Sequence, residues 1–222
     1  MLTGLSLSTI ALLLVAGIAL DLLLGETRRW HPLVGFGNLA GFIERRLNRG
    51  QARLARGGLA WTLAVLPLSL LFLALTDIAG QWLHAVLLYF CIGLRSLRDH
   101  TLPIYEALCA GDLAQARALT ARIVSRDTAN ASESDLAKAS AESLLENGND
   151  AVFGTLFWFV LLGGPGAVLF RLANTLDAMW GYRSERFNLF GRCAARIDDV
   201  LNYLPARLTA LSYVLLAGAG RA

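Results

Sequence analysis

An all-α, polytopic helical membrane protein is the fold this sequence predicts, and three observations predict it. The 222 residues are 55% apolar, with a mean hydropathy of +0.52, too oily for a soluble domain of this size. Several apolar runs are long enough to cross a bilayer. Basic residues gather in the loop after the first run rather than before it. We expect one domain, 1–222, with four to five membrane segments including a re-entrant hairpin, and a cytoplasmic helical region.

The first segment covers 5–24 and carries no Lys or Arg. A cleaved signal peptide opens with positive charge, so this is read as a retained helix. Residues 59–76 form a second span and 78–94 a third, separated by a tight turn around Asp77. Between the first two spans lie Arg28, Arg29, Arg45, Arg46, Arg49, Arg53 and Arg56, against only Glu26 and Glu44. The positive-inside rule puts this loop in the cytoplasm and the N-terminus outside. Residues 98–150 then form the cytoplasmic insert. Within it Asp112 N-caps one helical apolar stripe, Ser132 to Asp135 open a second helix through Asn147, and 125–130 is a polar turn.

The next run, 152–172, is interrupted by Gly163-Gly-Pro-Gly166. One kinked span fits, and so does a hairpin with both ends in the cytoplasm. The arginines that follow (Arg171, Arg183, Arg186, Arg192, Arg196) favour the hairpin, since irregular backbone at membrane depth is tolerated where protein covers it. The last segment, 200–218, holds Asn202, Pro205 and Arg207 in its first half.

Composition also excludes. All but Lys138 of the 20 basic residues are Arg, and they are not interleaved with aromatics, so no nucleic-acid surface is expected. Cys91, Cys109 and Cys193 are odd in number and lack a C-x-x-C spacing, which supports neither a zinc site nor a disulfide framework. No G-x-x-x-x-G-K loop and no G-x-S-x-G elbow is present.

The polar clusters are the candidates for chemistry. Glu142 and Glu146 are four apart on a helix, so they share a face, with Asn147 and Asp150 following. Two carboxylates so placed repel unless a cation lies between them, and Mg²⁺ is commonly held by one or two carboxylates plus substrate phosphate. Asn174, Asp177 and Gly181 share another face, with Gly181 leaving room for close approach. Asp198, Asp199 and Asn202 form a third cluster; acids that merely complement a helix dipole would look the same. Arg126, Arg183 and Arg207 are the natural anion partners. His31 lies in the basic loop, on the same predicted side as the acids. Taken together, the clusters point to an enzyme acting on an anionic substrate at the cytoplasmic surface.

Asp21-Leu-Leu-Leu-Gly25, His31-Pro32, Ser125-Arg-Asp-Thr128, Glu142-x-x-x-Glu146-Asn147-x-x-Asp150, Asn174-Thr-Leu-Asp-Ala-Met179 with Gly181-Tyr182 and Glu185, and Asp198-Asp199-x-x-Asn202-x-x-Pro205-Ala-Arg-Leu-Thr209 resemble the adenosylcobinamide-phosphate synthase family of cobalamin (vitamin B12) biosynthesis. The resemblance implies a multi-pass inner-membrane enzyme that joins adenosylcobyric acid, a corrinoid, to aminopropanol or its O-phosphate through an amide. It implies ATP as co-substrate, Mg²⁺, and other late-pathway membrane enzymes as neighbours. Glu142, Glu146, Asp177 and His31 are then assigned to acid–base catalysis. Asp150, Asp198 and Asp199 are assigned to the metal. Arg126, Asp127, Thr128, Asn147, Asn174, Tyr182, Arg183, Glu185, Asn202 and Arg207 are assigned to substrate. This chain departs from the family at Glu26-Thr27, where an Asp-Pro is usual, and it is expected to be a shortened version. Two other readings are a Mg²⁺-dependent intramembrane transferase, which needs a long apolar cleft, and a sensor that keeps the scaffold without catalysis.

Overall fold

The computed structural model describes residues 4–27 and 31–219, so Arg28 and Arg29 of the basic loop and the terminal Ala222 lie outside the described residues. The described residues form helices joined by turns, with no strand among them. The order is α1 (Leu7–Leu24), α2 (Pro32–Leu47), α3 (Arg53–Ala79), α4 (Trp82–Cys91), α5 (Leu94–Cys109), α6 (Leu113–Thr120), α7 (Glu133–Asn147), a π-helical stretch (Gly148–Phe153), α8 (Gly154–Trp180) and α9 (Arg192–Ala219).

Four helical stretches are long and apolar enough to cross a membrane: Leu7–Leu24, Arg53–Ala79, Glu133–Trp180 and Arg192–Ala217. α1 is apolar on all sides, and Leu7, Val15, Leu23 and Leu24 stand exposed on it, as on a helix meant for lipid rather than water. α3 turns small residues inward. Gly57, Ala60 and Ala64 are buried while Leu59, Leu63 and Leu70 face out, the small-residue packing of membrane helices. The expected third span is shorter than predicted. α4 holds only 10 residues, about 15 Å of helix, yet it returns the chain to the end of α1, where the Arg95 amide meets Asp21. α3 runs on through Asp77, and the break falls at Gly80, where φ is 83°.

The stretch Glu133–Trp180 is not one rod. Gly163, at φ 66° and ψ −158°, sits in backbone territory essentially reserved for glycine, and the chain reverses there. Asp150 bonds Asn174. Gly154 lies against the Phe170 ring, and Gly166 against the Trp158 carbonyl. These pairings step back evenly along both strands of helix, so α8 is an antiparallel helical hairpin with its closed tip at Gly163. A Cβ on Gly166 would sit 2.4 Å from the Trp158 carbonyl oxygen, so glycine is what lets the two halves touch. His84 of α4 is buried. Its Nδ1 accepts a 2.9 Å hydrogen bond from the Gly164 amide and pins the tip.

The main core joins α1, α3, α4 and α8 through Leu13, Ala64, Leu88, Phe159, Ala173 and Trp180. A second, small core of Ala107, Ala116 and Leu136 holds α5, α6 and α7 together as a separate layer. Asp112 caps α6 and Ser132 with Asp135 makes a capping box on α7, as the sequence predicts. Asp21 ties the layer to the bundle. This buried carboxylate on α1 accepts the Arg95 backbone N–H at 2.8 Å, at the start of α5. Arg95 in turn caps the Leu22 and Leu23 carbonyls that end α1. α2 was not anticipated. It is an amphipathic helix opened by Pro32 at its first turn, and the basic loop that the arginines suggest is partly this helix.

Candidate functional site

The open end of the hairpin is polar. Asn149, in the π-helical stretch, donates to Asp150 Oδ1 and to Asn202 Oδ1, both at 2.9 Å. Its own Oδ1 accepts from the Thr209 hydroxyl at 3.0 Å. Asn174 donates to Asp150 Oδ2 at 2.9 Å, and Asn202 donates to Asp198 Oδ2 at 3.1 Å. Arg171 reaches Asn174 Oδ1 at 3.3 Å. One chain of amides and carboxylates thus runs from the second arm of the hairpin through the first arm to α9. Such a network rigidifies when satisfied. The π-helical geometry has a local effect here: it adds a residue to the turn and sets Asn149 and Asp150 side by side, a placement often found at functional sites.

Above this network opens a cleft of about 740 Å³, between the α5–α7 layer and the hairpin mouth. Its walls carry Arg126, Glu142, Glu146, Asn147, Asp150, Asn174, Asp177 and Tyr182. Eight residues singled out from the sequence therefore converge, although they come from the 125–130 turn, α7, the π-helical stretch, α8 and the segment after it. Glu142 has its cation supplied internally. Arg126 Nη2 lies 2.6 Å from Glu142 Oε2, so a guanidinium already meets the Glu142 charge. Glu146 and Asp177 make no ion pair within 4 Å among the described residues. The Asp177 carboxylate folds back over Gly181, where a Cβ would fall 2.1 Å from Oδ1. Gly181 therefore makes room for Asp177, not for a neighbouring helix.

The remaining predicted residues fall elsewhere. Asp198 and Asn202 are the floor of the network, and Asp198 lies within electrostatic reach of Asp150 and Asp177. Asp199, one position on, points to the other side of α9. It pairs with Arg196 at 3.6 Å and shares a neighbouring hollow of about 360 Å³ with Arg183 and Tyr182, still close enough to Asp177 to act on it. Asp127 and Thr128 line a third hollow beside Arg126 but have local duties. Asp127 accepts the Ala129 N–H, and the buried Thr128 donates to the Arg117 carbonyl. Arg207 stacks over the Tyr203 ring, 3.5 Å from its centroid, and lines none of these spaces. Glu185 meets the bundle through its backbone, whose carbonyl accepts from Arg53 at 3.4 Å. His31 N-caps α2 by accepting the Leu33 N–H at 3.2 Å. Burial lowers its pKa, with Glu26 acting against this and Arg171 with it, so the imidazole is neutral near pH 7. It stands with Glu26 and Arg171 rather than in the main cleft.

Three participants carried no decisive signal. Asn149 looked like a spacer between Asn147 and Asp150. Arg171 read only as a topology marker. Glu44 read as a loop acid, yet it is buried and accepts from Arg186 at both oxygens, at 3.1 and 2.6 Å, and from Asn48 at 2.7 Å. Burial acts to raise this carboxyl, but Arg186 and Asn48 outweigh it and hold it below the usual range.

A bundle with membrane-length helices, an antiparallel hairpin and a charged cleft at the hairpin mouth defines a polytopic helical membrane protein with a site for polar or anionic ligands. Residues 14–222 match the family model described as CobD/Cbib protein. Over 218 residues the chain is 53% identical to the cobalamin biosynthesis protein CobD of Stutzerimonas stutzeri, covering 96% of this chain and 72% of that one. It is 51% identical to the protein of the same name from Chromobacterium violaceum, over 95% and 70% of the two chains. It is 42% identical to a probable cobalamin biosynthesis protein CobD of Thermococcus kodakarensis, over 90% and 69%. The chain belongs to the CobD/CbiB family. No solved structure gives a significant match.

Proposed function

We propose that this chain acts in late cobalamin biosynthesis, joining adenosylcobyric acid to aminopropanol or its O-phosphate to form an amide, with ATP as co-substrate. The observation that supports this most is the convergence of Arg126, Glu146, Asp150 and Asp177 on one cleft at the hairpin mouth. Amide formation from a carboxylate needs three things: activation of the acid, stabilisation of the charge that develops, and removal of a proton from the amine. Arg126 is placed to hold a propionate or phosphoryl oxygen, exchanging Glu142 for it. Asp177 and Glu146 are the unpaired carboxylates, and one of them takes the proton from the attacking ammonium. Asp150 is held by two amide N–H groups and fixes the geometry beneath them.

Among the described residues no group of three or more His, Cys, Asp or Glu is arranged to hold a metal. Mg²⁺ bound chiefly through substrate phosphate needs only one or two carboxylates, and whichever of Glu146 and Asp177 does not take the proton would supply one. Mg²⁺ would supply neutralisation of phosphate charge.

In this reading the cleft faces the cytoplasm beside the inner membrane, with the N-terminus outside. The hairpin enters the bilayer and returns on the same side; its first half, Gly154 to Gly163, is too short to cross. The transferase alternative wants an apolar channel leading to the acids. An apolar cleft of about 460 Å³ does exist between α2, α3, α4 and α8, but none of the acidic residues lines it.

Complementation of a strain blocked at this step tests the proposal, comparing wild type with Asp177→Ala and Glu146→Ala. Growth restored by wild type and lost in both variants is the expected result; equal growth from all three removes these acids from the reaction. Labelling a cysteine placed at Arg183 tests the topology, and reaction from outside the cell rejects it.

A further inference from the structure

A second cleft, of about 320 Å³, adjoins the main one and shares Ser143 and Asn147 with it. Its walls carry Arg122, Arg171, His100 and Glu26. Arg171 is the informative residue. Its Nε is enclosed by protein and has no hydrogen-bond partner among the described residues. The one hydrogen bond its side chain makes among the described residues is the 3.3 Å contact to Asn174. Glu26 and Asp150 act on it electrostatically, but neither comes within the 4 Å of an ion pair. Burying a guanidinium with its donors unmet is costly, and a chain retains such a group where a ligand supplies the missing charge. Arg122, exposed in the same lining, makes no hydrogen bond or ion pair through its guanidinium among the described residues. His100 Nδ1 donates to the Ser96 carbonyl at 2.7 Å, so the ring's proton is already spent on the backbone.

We infer that the second cleft is a phosphate-binding subsite, with the part-buried Arg171 as its anchor and Arg122 at its rim. Two guanidinium groups line one small space. A single carboxylate is satisfied by one guanidinium, whereas a phosphate monoester has the oxygens to meet both. Through Asn174 the anchor is tied to the main cleft, so a phosphate held here belongs to a small substrate reaching across to the acids. The subsite deepens the amide-forming reading and rests on it for its purpose. Its source is either the amine donor or the nucleotide.

The test is calorimetric titration of the full chain in nanodiscs with O-phosphoethanolamine, inorganic phosphate, ATP and, as the phosphate-free control, ethanolamine. Phosphate compounds bind and ethanolamine does not. Arg171→Gln weakens phosphate binding roughly tenfold or more, and Arg122→Gln weakens it several-fold. Tighter binding of O-phosphoethanolamine than of ATP assigns the subsite to the amine donor, and the reverse order assigns it to nucleotide. Phosphate binding no better than ethanolamine, or unchanged in both variants, overturns the inference. If Arg171→Gln fails to fold, unchanged affinity in Arg122→Gln alone overturns it. Complementation by a wild type that binds no phosphate sinks the subsite and spares the reaction. Phosphate binding by a wild type that forms no amide does the opposite.

Discussion

The two ends of the α8 hairpin use the same pair of helix segments in opposite ways. At the closed tip, Gly163, Gly164 and Gly166 bring backbone against backbone, and the one polar side chain, His84, is spent on capping a backbone amide. At the open mouth the pairs are Asp150 with Asn174, and Asn149 with Asn202 and Thr209. Tip contacts leave nothing for a ligand. Mouth contacts hold a row of carboxylates and amides in fixed positions, with free acids above them. Stability and chemistry are thus separated along about 20 Å of one hairpin, and substitutions at the two ends are expected to fail differently.

The largest effect is expected at the tip. Gly166→Leu drives a side chain into the Trp158 carbonyl and Leu162, where the contact is backbone and cannot yield. Overpacking of this kind costs about 1–3 kcal/mol or more. The expected outcome is loss of folded protein from the membrane fraction, measured by detergent-resistant monomer yield. Normal yield with normal thermal unfolding shows the two halves to be less tightly apposed than described. The next effect is at the base of the mouth. Asn149→Leu removes the shared partner of Asp150, Asn202 and Thr209, and each unmet buried group costs about 1–3 kcal/mol. The protein inserts but unfolds earlier in a denaturant titration, and it loses activity.

A smaller, pH-dependent effect separates both ends from the periphery. Glu44 on α2 clamps the segment after α8 through Arg186. Its carboxyl is held below the usual range, so the folded state binds a proton less readily than the unfolded chain. The contribution is therefore complete above the unfolded value of about 4.3 and is lost as pH falls through the lower folded value. Arg186 is largely exposed, so screening keeps the contribution small. Glu44→Gln should lower the melting temperature by roughly a few degrees at pH 6. The gap to wild type should close near pH 3. A gap that is constant with pH removes the charge from the account.

How much was legible follows from the same contrast. α1, α3 and the hairpin were legible because long apolar runs and a Gly-Gly-Pro-Gly break act locally. α7's start was legible because Ser132 and Asp135 form their capping box within one turn. The cleft acids were legible through i, i+4 spacing, which survives folding. α4's shortness was not, because Gly80 ends α3 by a backbone torsion that hydropathy does not register. Arg171 and Asn149 were not legible either. Asn149 takes its role from partners 53 and 60 residues away and Arg171 from an enclosed Nε with none among the described residues, and no local spacing encodes that. Arg207 failed in the opposite sense: a plausible anion ligand by type, it is used against Tyr203.

The smallest effect on folding, and the sharpest test of the comparison, is expected at Asp177. Its carboxylate accepts no hydrogen bond and forms no ion pair among the described residues. It occupies a space that Gly181 leaves open. Asn has the same shape and removes only the charge, so Asp177→Asn leaves the unfolding midpoint where it was. A mouth built for stability would lose as much from this change as from Asn149→Leu. A mouth built for chemistry loses the proton acceptor and keeps the fold, so amide formation falls by roughly two orders of magnitude or more. Full activity at an unchanged midpoint would leave Glu146 as the only unpaired acid able to do the work.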